Sequence, residues 1–247
     1  MLNDPELLRS WKMWQQSPLG ISVADQEQEC LERVAPRLYG RFFAQIGDSG
    51  CDFPELERVQ HRVIVDNHIG AGPNASCRAE QLPLATESVN VVYLPHALEL
   101  SYDPHEVLRE ADRILIPDGR LILTVFNPIS MYGLRNLFTF GGKKMPWKAK
   151  FLTYRRVHDW LKLLGFEVED YCHIAFRPPI QHQLFYQRMS VLEKLGEKYW
   201  PGASGVFVII AIKRMVPLNL ITPSWKKSRR FLPSGAIEPT TRNHSNV

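Results

Sequence analysis

The stretch Val89 to Pro128, VNVVYLPHALELSYDPHEVLREADRILIPDGRLILTVFNP, limits the fold more than any other part of the chain. It opens with the apolar strand Val89 to Leu94. Asp103 then offers a side-chain cap, Pro104 suits the first helical position, and Glu106 stands where a capping-box acid would. Val107, Leu108, Ala111, Ile114 and Leu115 fall on one face at helical spacing, and Pro117, Asp118 and Gly119 stop the helix. Arg120 to Phe126 is a β-rich run. Strand, helix and strand with such short joints make a right-handed parallel crossover in an open sheet.

The same alternation precedes it, so the fold reads as doubly wound α/β. Ala24 to Leu38 has apolar positions at Cys30, Leu31, Val34 and Leu38 and predicts a helix bent at Pro36. Arg41 to Ile46 follows as a strand, and the β-branched run Arg62 to Asp66 ends on a carboxylate before the turn-rich NHIGAGPNAS. Farther on, Phe151 to Gly165 predicts an amphipathic helix with Tyr154, Val157, Trp160, Leu161 and Leu164 inward and Gly165 as its cap. FEVEDYCHIAF and GVFVIIAIKRM read as two more strands. The chain thus divides into a helical segment over 1–39, a main domain over 40–216 with insertions at about 128–150 and 177–204, and a tail over 217–247. Both insertions are rich in aromatic residues and predict a lid or an apolar acceptor surface, with plain packing as the alternative.

Composition narrows the class. With 247 residues, 45% hydrophobic and 23% charged, the chain can bury one α/β-sized core. Its apolar runs are far short of a bilayer span and its N-terminus is polar, which places the protein in the cytoplasm. Cys30, Cys51, Cys77 and Cys172 are scattered with no C-x-x-C pair, so they read as small buried hydrophobes rather than as a disulfide framework or zinc site, and no metal is expected. The net charge of +4 is unevenly spread: Lys213 to Val247 holds seven Lys/Arg against Glu238 alone, leaving 23 basic and 25 acidic residues before it. That Pro/Ser/Thr/Asn-rich tail reads as disordered. A second basic run, from Arg135 to Arg156, holds Arg135, Lys143, Lys144, Lys148, Lys150, Arg155 and Arg156 with no acid between them, interleaved by Trp147, Phe151 and Tyr154. It suits a solvated face or an RNA or other polyanion partner.

The block LPLATESVNVVYLPHALELSYDPHEVLREADRILIPDGRLILTVFNP, together with FFAQIGDSGCDF at Phe42 to Phe53, resembles the Methyltransf_11 type of class I S-adenosylmethionine (SAM)-dependent methyltransferases, in a bacterial branch without an assigned substrate. The resemblance implies a Rossmann-like, seven-stranded, mostly parallel sheet with an antiparallel final strand, and S-adenosyl-L-methionine as cofactor. It places Gln45, Ile46, Gly47 and Gly50 in the loop that holds the methionine part, with Gln45 in place of the family's acid, Ser49 in place of its second glycine, and Gly50 and Cys51 straddling the third. Asp66 corresponds to the acid that grips the ribose hydroxyls; the alternative for an Asp in DNHIG is a turn-initiating role. Arg78, with Ala79 beside it, stands where the family has an acid meeting the adenine amino group, and Leu94 lies at the end of the strand that borders the ligand.

For the chemistry, the sulfonium already activates the methyl group, so the protein must chiefly align an acceptor and, for a weak acid, remove a proton. His96, Glu99 and Asn127 sit just past strand ends on the expected ligand edge and are the candidate orienting or proton-accepting groups. A satisfied structural His and an ordinary Asn-Pro turn are the alternatives. Three functions stand open: a SAM-dependent methyltransferase, a relative that keeps the fold as a binding or scaffold module, and an RNA-directed methyltransferase.

Overall fold

The computed structural model describes residues 5–47, 50, 53–54, 58–66, 75–138, 146–179, 196 and 199–214. Two helices come first, α1 (Pro5–Gln15) and α2 (Pro18–Val34), then a 3-10 turn (Ala35–Arg37) and the strands β1 (Gly40–Ile46), β2 (Val59–Asp66), β3 (Ala75–Ser76) and β4 (Val89–Pro95). A single helical turn α3 (Ala97–Leu100) leads to α4 (Pro104–Ile114), β5 (Leu115–Phe126), α5 (Met131–Phe138), α6 (Tyr154–Leu163), β6 (Phe166–Ile174), a 3-10 turn (Pro201–Ala203) and β7 (Val206–Lys213).

One seven-stranded sheet runs in the order β3-β2-β1-β4-β5-β7-β6. All pairings are parallel except those of β7, which is antiparallel to both β5 and β6. The strand order reverses between β1 and β4, where Gln45 lies level with Tyr93. Open α/β sheets hold their ligands in the crevice outside the strand ends at such a switch point.

The crossover predicted from Val89 onward is present, and its details explain themselves locally. The Asp103 carboxylate accepts from the His105 and Glu106 amides, capping α4 at Pro104, and Glu106 pairs with Arg109 at 2.8 Å. The helix stops at Ile114, earlier than expected, because Leu115 is already level with Val89 in the ladder. Val107, Leu108, Ala111 and Ile114 of α4, with Val157 and Leu161 of α6, form the core on one side of the sheet. On the other side, Leu19, Val23, Cys30, Leu31 and Val34 of α2 pack with Trp11 of α1 on Phe43, Tyr93, Ile122 and Phe126. The expected helix over 24–38 begins earlier, at Pro18, because Ser17 accepts from the Gly20 amide and Pro18 needs no donor; Pro36 falls in the 3-10 turn that ends it. At the end of α6, Gly165 takes φ +83°, as a residue following a helix C-cap should.

One reading of the cysteines needs correcting. Cys30 of α2 and Cys172 of β6 form a disulfide, while Cys77 is free. Facing positions on a helix and an edge strand brought them together, which spacing in the chain does not encode. The tail over 217–247, residues 139–145 and 180–195 of the insertions, and Ser49 and Cys51 of the glycine turn lie outside the described residues.

Candidate functional site

The tips of β1, β2 and β4 converge at the switch point. Leaving β1, Gly47 adopts φ +102°, and its amide donates to the Val65 carbonyl at 2.8 Å. A Cβ there would stand 3.5 Å from the Pro95 carbonyl, an ordinary contact, so backbone conformation rather than crowding demands glycine. Gly50, at φ +69°, lies against the Gln15 side chain of α1, where a Cβ would come within 2.9 Å of Nε2. Ile46, beside them, is buried in the core.

Gln45 is buried, and both ends of its amide are engaged. Its oxygen accepts from Nη2 of Arg62 at 2.9 Å and its nitrogen donates to the Gly47 carbonyl at 3.1 Å. Arg62 also donates to the Phe53 carbonyl at 3.2 Å and lies over the Phe43 ring. Where the family has a carboxylate, this corner therefore presents an amide backed by a guanidinium. Asp66, half-buried at the tip of β2, pairs level with Ser76, and its carbonyl accepts from the Cys77 amide. Burial first, then the negative charges of Asp66 and Glu110, push the Cys77 thiol up to about 11. Arg78 is half-exposed and stands 3.6 Å from Glu80, with Ala79 buried beside it. Leu94 turns its side chain wholly into the core beneath the sheet and is level with Leu123, so it lines no crevice with that side chain.

His96, Glu99 and Asn127 are all buried. His96 takes φ +49° directly after β4, and its ring is held at both nitrogens: Nε2 lies 2.8 Å from Glu27 and Nδ1 2.9 Å from Glu99. The second oxygen of Glu99 accepts from the Phe126 amide. Burial alone would lower the His96 pKa, but the Glu99 and Glu27 carboxylates more than offset it and push it up to about 10. Burial raises Glu99 as well, against the pull of the imidazole. At neutral pH the ring is thus an imidazolium and has no lone pair with which to accept a proton. Asn127 is spent on backbone: its Nδ2 donates to the Gly202 and Ser204 carbonyls at 2.9 and 3.0 Å, and its Oδ1 accepts from the Ile129 amide.

Two groups that sequence reasoning passed over close this edge. Glu27 is one. The other is the Trp11–Trp14 pair of α1, whose rings stack 5.0 Å apart; Trp11 meets His96 edge-on and Trp14 meets Phe126. The indole nitrogens of both are buried without a hydrogen-bond partner. Such orphaned donors are rare in folded proteins and ask for an acceptor.

A profile described as a methyltransferase domain, Methyltransf_11, matches residues 40–123, from the start of β1 into β5. The uncharacterised protein YafS of Escherichia coli (strain K12) is 33% identical over 217 residues, which make up 87% of this chain and 86% of YafS. The chain belongs to the Methyltransf_11 methyltransferase family. Solved structures agree on the class I fold. A SAM-dependent methyltransferase of Thermotoga maritima matches with a TM-score of 0.58 at 20% identity, over 84% of this chain and 97% of that one. A chain from the complex of the Haloferax volcanii Trm112 methyltransferase activator with a methyltransferase gives 0.53 at 15%, over 84% and 94%.

This methyltransferase-family chain also carries, beside Asn127, a cavity of about 820 Å³ lined mainly by apolar groups: Pro128, Ile129, Met131, Leu134, Leu137 and Trp147 with Gly133, Ala203, Ser130 and Asn136. Among the described residues no group of three or more His, Cys, Asp or Glu is arranged to hold a metal, and no helix is long and apolar enough to cross a membrane.

Proposed function

We propose that the protein is a SAM-dependent methyltransferase in which the tips of β1 and β2 hold the cofactor and the edge beside β5 receives the acceptor. The residues present fit that cofactor at two of its three ends. Asp66 offers a half-buried carboxylate for two ribose hydroxyls, and Gly47 supplies the turn that brings main-chain amides to the crevice. At the amino-acid end, the Arg62 guanidinium beside Gln45 suits a carboxylate better than an ammonium group. Arg78 has no acceptor for an adenine amino group, so its contribution there is stacking or its own amide. The observation that carries the reading is Asp66 at the tip of β2, next to the glycine turn, inside the segment matched by the family profile.

When bound, the cofactor supplies an already activated methyl group. What remains for the chain is to bind, orient and exclude water. Trp11 and Trp14 exclude water over Phe126. We assign His96 and Glu99 positioning roles, because a doubly held imidazolium orients the β4 tip and takes no proton. Asn127 fixes the turn into α5 and so shapes the wall of the acceptor cavity.

Calorimetry of the full chain with SAM and with its demethylated product tests this. Binding is expected, weakened about tenfold or more by Asp66→Asn, the cost of a hydrogen bond to a charged acceptor. A folded protein that binds neither ligand overturns it. One feature favours a second reading, a scaffold that retains the fold without turnover: the sealed Glu27–His96–Glu99 array and the engaged Gln45 amide. That reading wins if both ligands fail to bind.

A further inference from the structure

The cavity beside Asn127 has an outer rim that the methyl-transfer reading leaves unused. Helix α5 is fixed at its start, where the Ser130 hydroxyl accepts from the Gly133 amide and donates to the Asn127 carbonyl, and it buries Tyr132 completely. Its outer residues are exposed, Leu137 at 74% and Met131 and Leu134 at 46% each, as is Ile129 in the turn before it, at 68%. All four border the cavity. Across it, Ala203 belongs to the turn that Asn127 holds through Gly202, and just before that turn Trp200 is 72% exposed.

Cations follow this apolar rim along the chain. From Asn127 to His158 the sequence has no acid and seven Lys/Arg. The segment that follows the rim is tied to the same edge, with the Lys150 amide donating to the Glu99 carbonyl and the Leu152 amide to that of Phe126. Lys148, Lys150, Arg155 and Arg156 are exposed along it and into the first turn of α6.

Exposed aliphatic side chains in a cluster mark a surface that meets something apolar. RNA would use the cations and stack on aromatic rings, but would gain nothing from Ile129, Leu134 or Leu137. A bilayer with anionic headgroups uses all three elements at once: aliphatic groups enter the acyl boundary, Trp settles at the headgroup level, and Lys/Arg meet the surface potential. We propose that α5, the segment 146–156 and Trp200 form a docking face that seats the protein peripherally on an anionic lipid bilayer, bringing the cavity beside the lipid. This goes beyond methyl transfer and does not depend on it, since docking needs no cofactor.

Flotation of the full chain with phosphatidylcholine vesicles, with and without phosphatidylglycerol, tests the proposal. The protein is expected to float with the anionic vesicles only and to be released by salt. Replacing two exposed aliphatic groups in Leu134→Asp/Leu137→Asp should weaken binding by at least about tenfold, and Lys148→Gln or Arg155→Gln by roughly fivefold per charge. Circular dichroism checks that each variant is folded. Absence of binding to anionic vesicles overturns the proposal. So does binding that survives the aspartate exchanges, or a single-stranded RNA that displaces the vesicles and itself binds the aspartate variant unchanged, which would assign the face to nucleic acid.

Discussion

His96 and Glu27, 69 residues apart in the chain, meet at 2.8 Å inside the protein, both almost fully buried. Through them the N-terminal helix α2 reaches the tip of the central strand β4, and Glu99 completes the contact from the other side of the ring.

Stability should fall as pH rises above neutrality. The imidazole titrates near 6.5 in the unfolded chain and is raised to about 10 in the fold, where Glu27 and Glu99 face it and Trp11 and Phe126 flank it. Its contribution is complete below pH 6.5 and disappears as pH climbs through 10. Glu99, also raised, acts in the same direction. Urea unfolding between these limits should show a declining free energy in the wild type and a flatter profile in His96→Gln; a flat wild-type profile contradicts this.

At neutral pH, His96→Gln removes the cation from between two buried carboxylates and should cost about 3–5 kcal/mol, the range for breaking a buried ion pair from one side. A loss below about 1 kcal/mol would mean that water reaches the array. Glu27→Gln with His96→Gln together should cost less than the two separate losses added, because the groups act as a unit.

The Cys77 thiol, raised to about 11 by burial and by Asp66 and Glu110, should alkylate slowly at pH 8. Asp66→Asn removes one of those charges and should speed labelling of the Cys77 peptide, followed by mass spectrometry. An unchanged rate would separate the Asp66 carboxylate from the thiol.

Gly133 sits where an added Cβ would lie 1.8 Å from the Pro128 carbonyl. Gly133→Ala should therefore cost about 1–3 kcal/mol or more, as overpacking does, and should disturb the cavity that α5 borders. A thermal midpoint within a degree or so of wild type would show that the turn relaxes freely.

Local signals were legible in the sequence. Asp103, Pro104 and the apolar stripe of α4 settle their helix within a few residues, and the β-branched runs settle their strands. The site was legible in position but not in engagement. His96 directly follows β4, Glu99 lies in the turn α3 behind it and Asn127 directly follows β5, yet their partners come from far along the chain or from backbone that sequence does not display. A clue to Glu27 was present: with Val23, Cys30, Leu31 and Val34 it falls on the buried stripe of α2, an acid at a core position that demands a buried partner. The run DQEQECLE disguised it as a solvated face. Gln45 stands in the sequence simply as a replacement for the family's acid, because its companion Arg62, one strand away in the fold, is 17 residues away in the chain.

The bridge between Cys30 and Cys172 bears on how such an edge can open. Helix α2 is moored there, again where Gln26 accepts from the Ala175 amide, and a third time through Glu27, so it cannot swing as a door. α1, joined to α2 by the two residues Gln16 and Ser17, lays Trp11 and Trp14 over Phe126 in front of that fixed wall. Whatever enters beside His96 therefore meets a rear wall stitched to the sheet at three separate points.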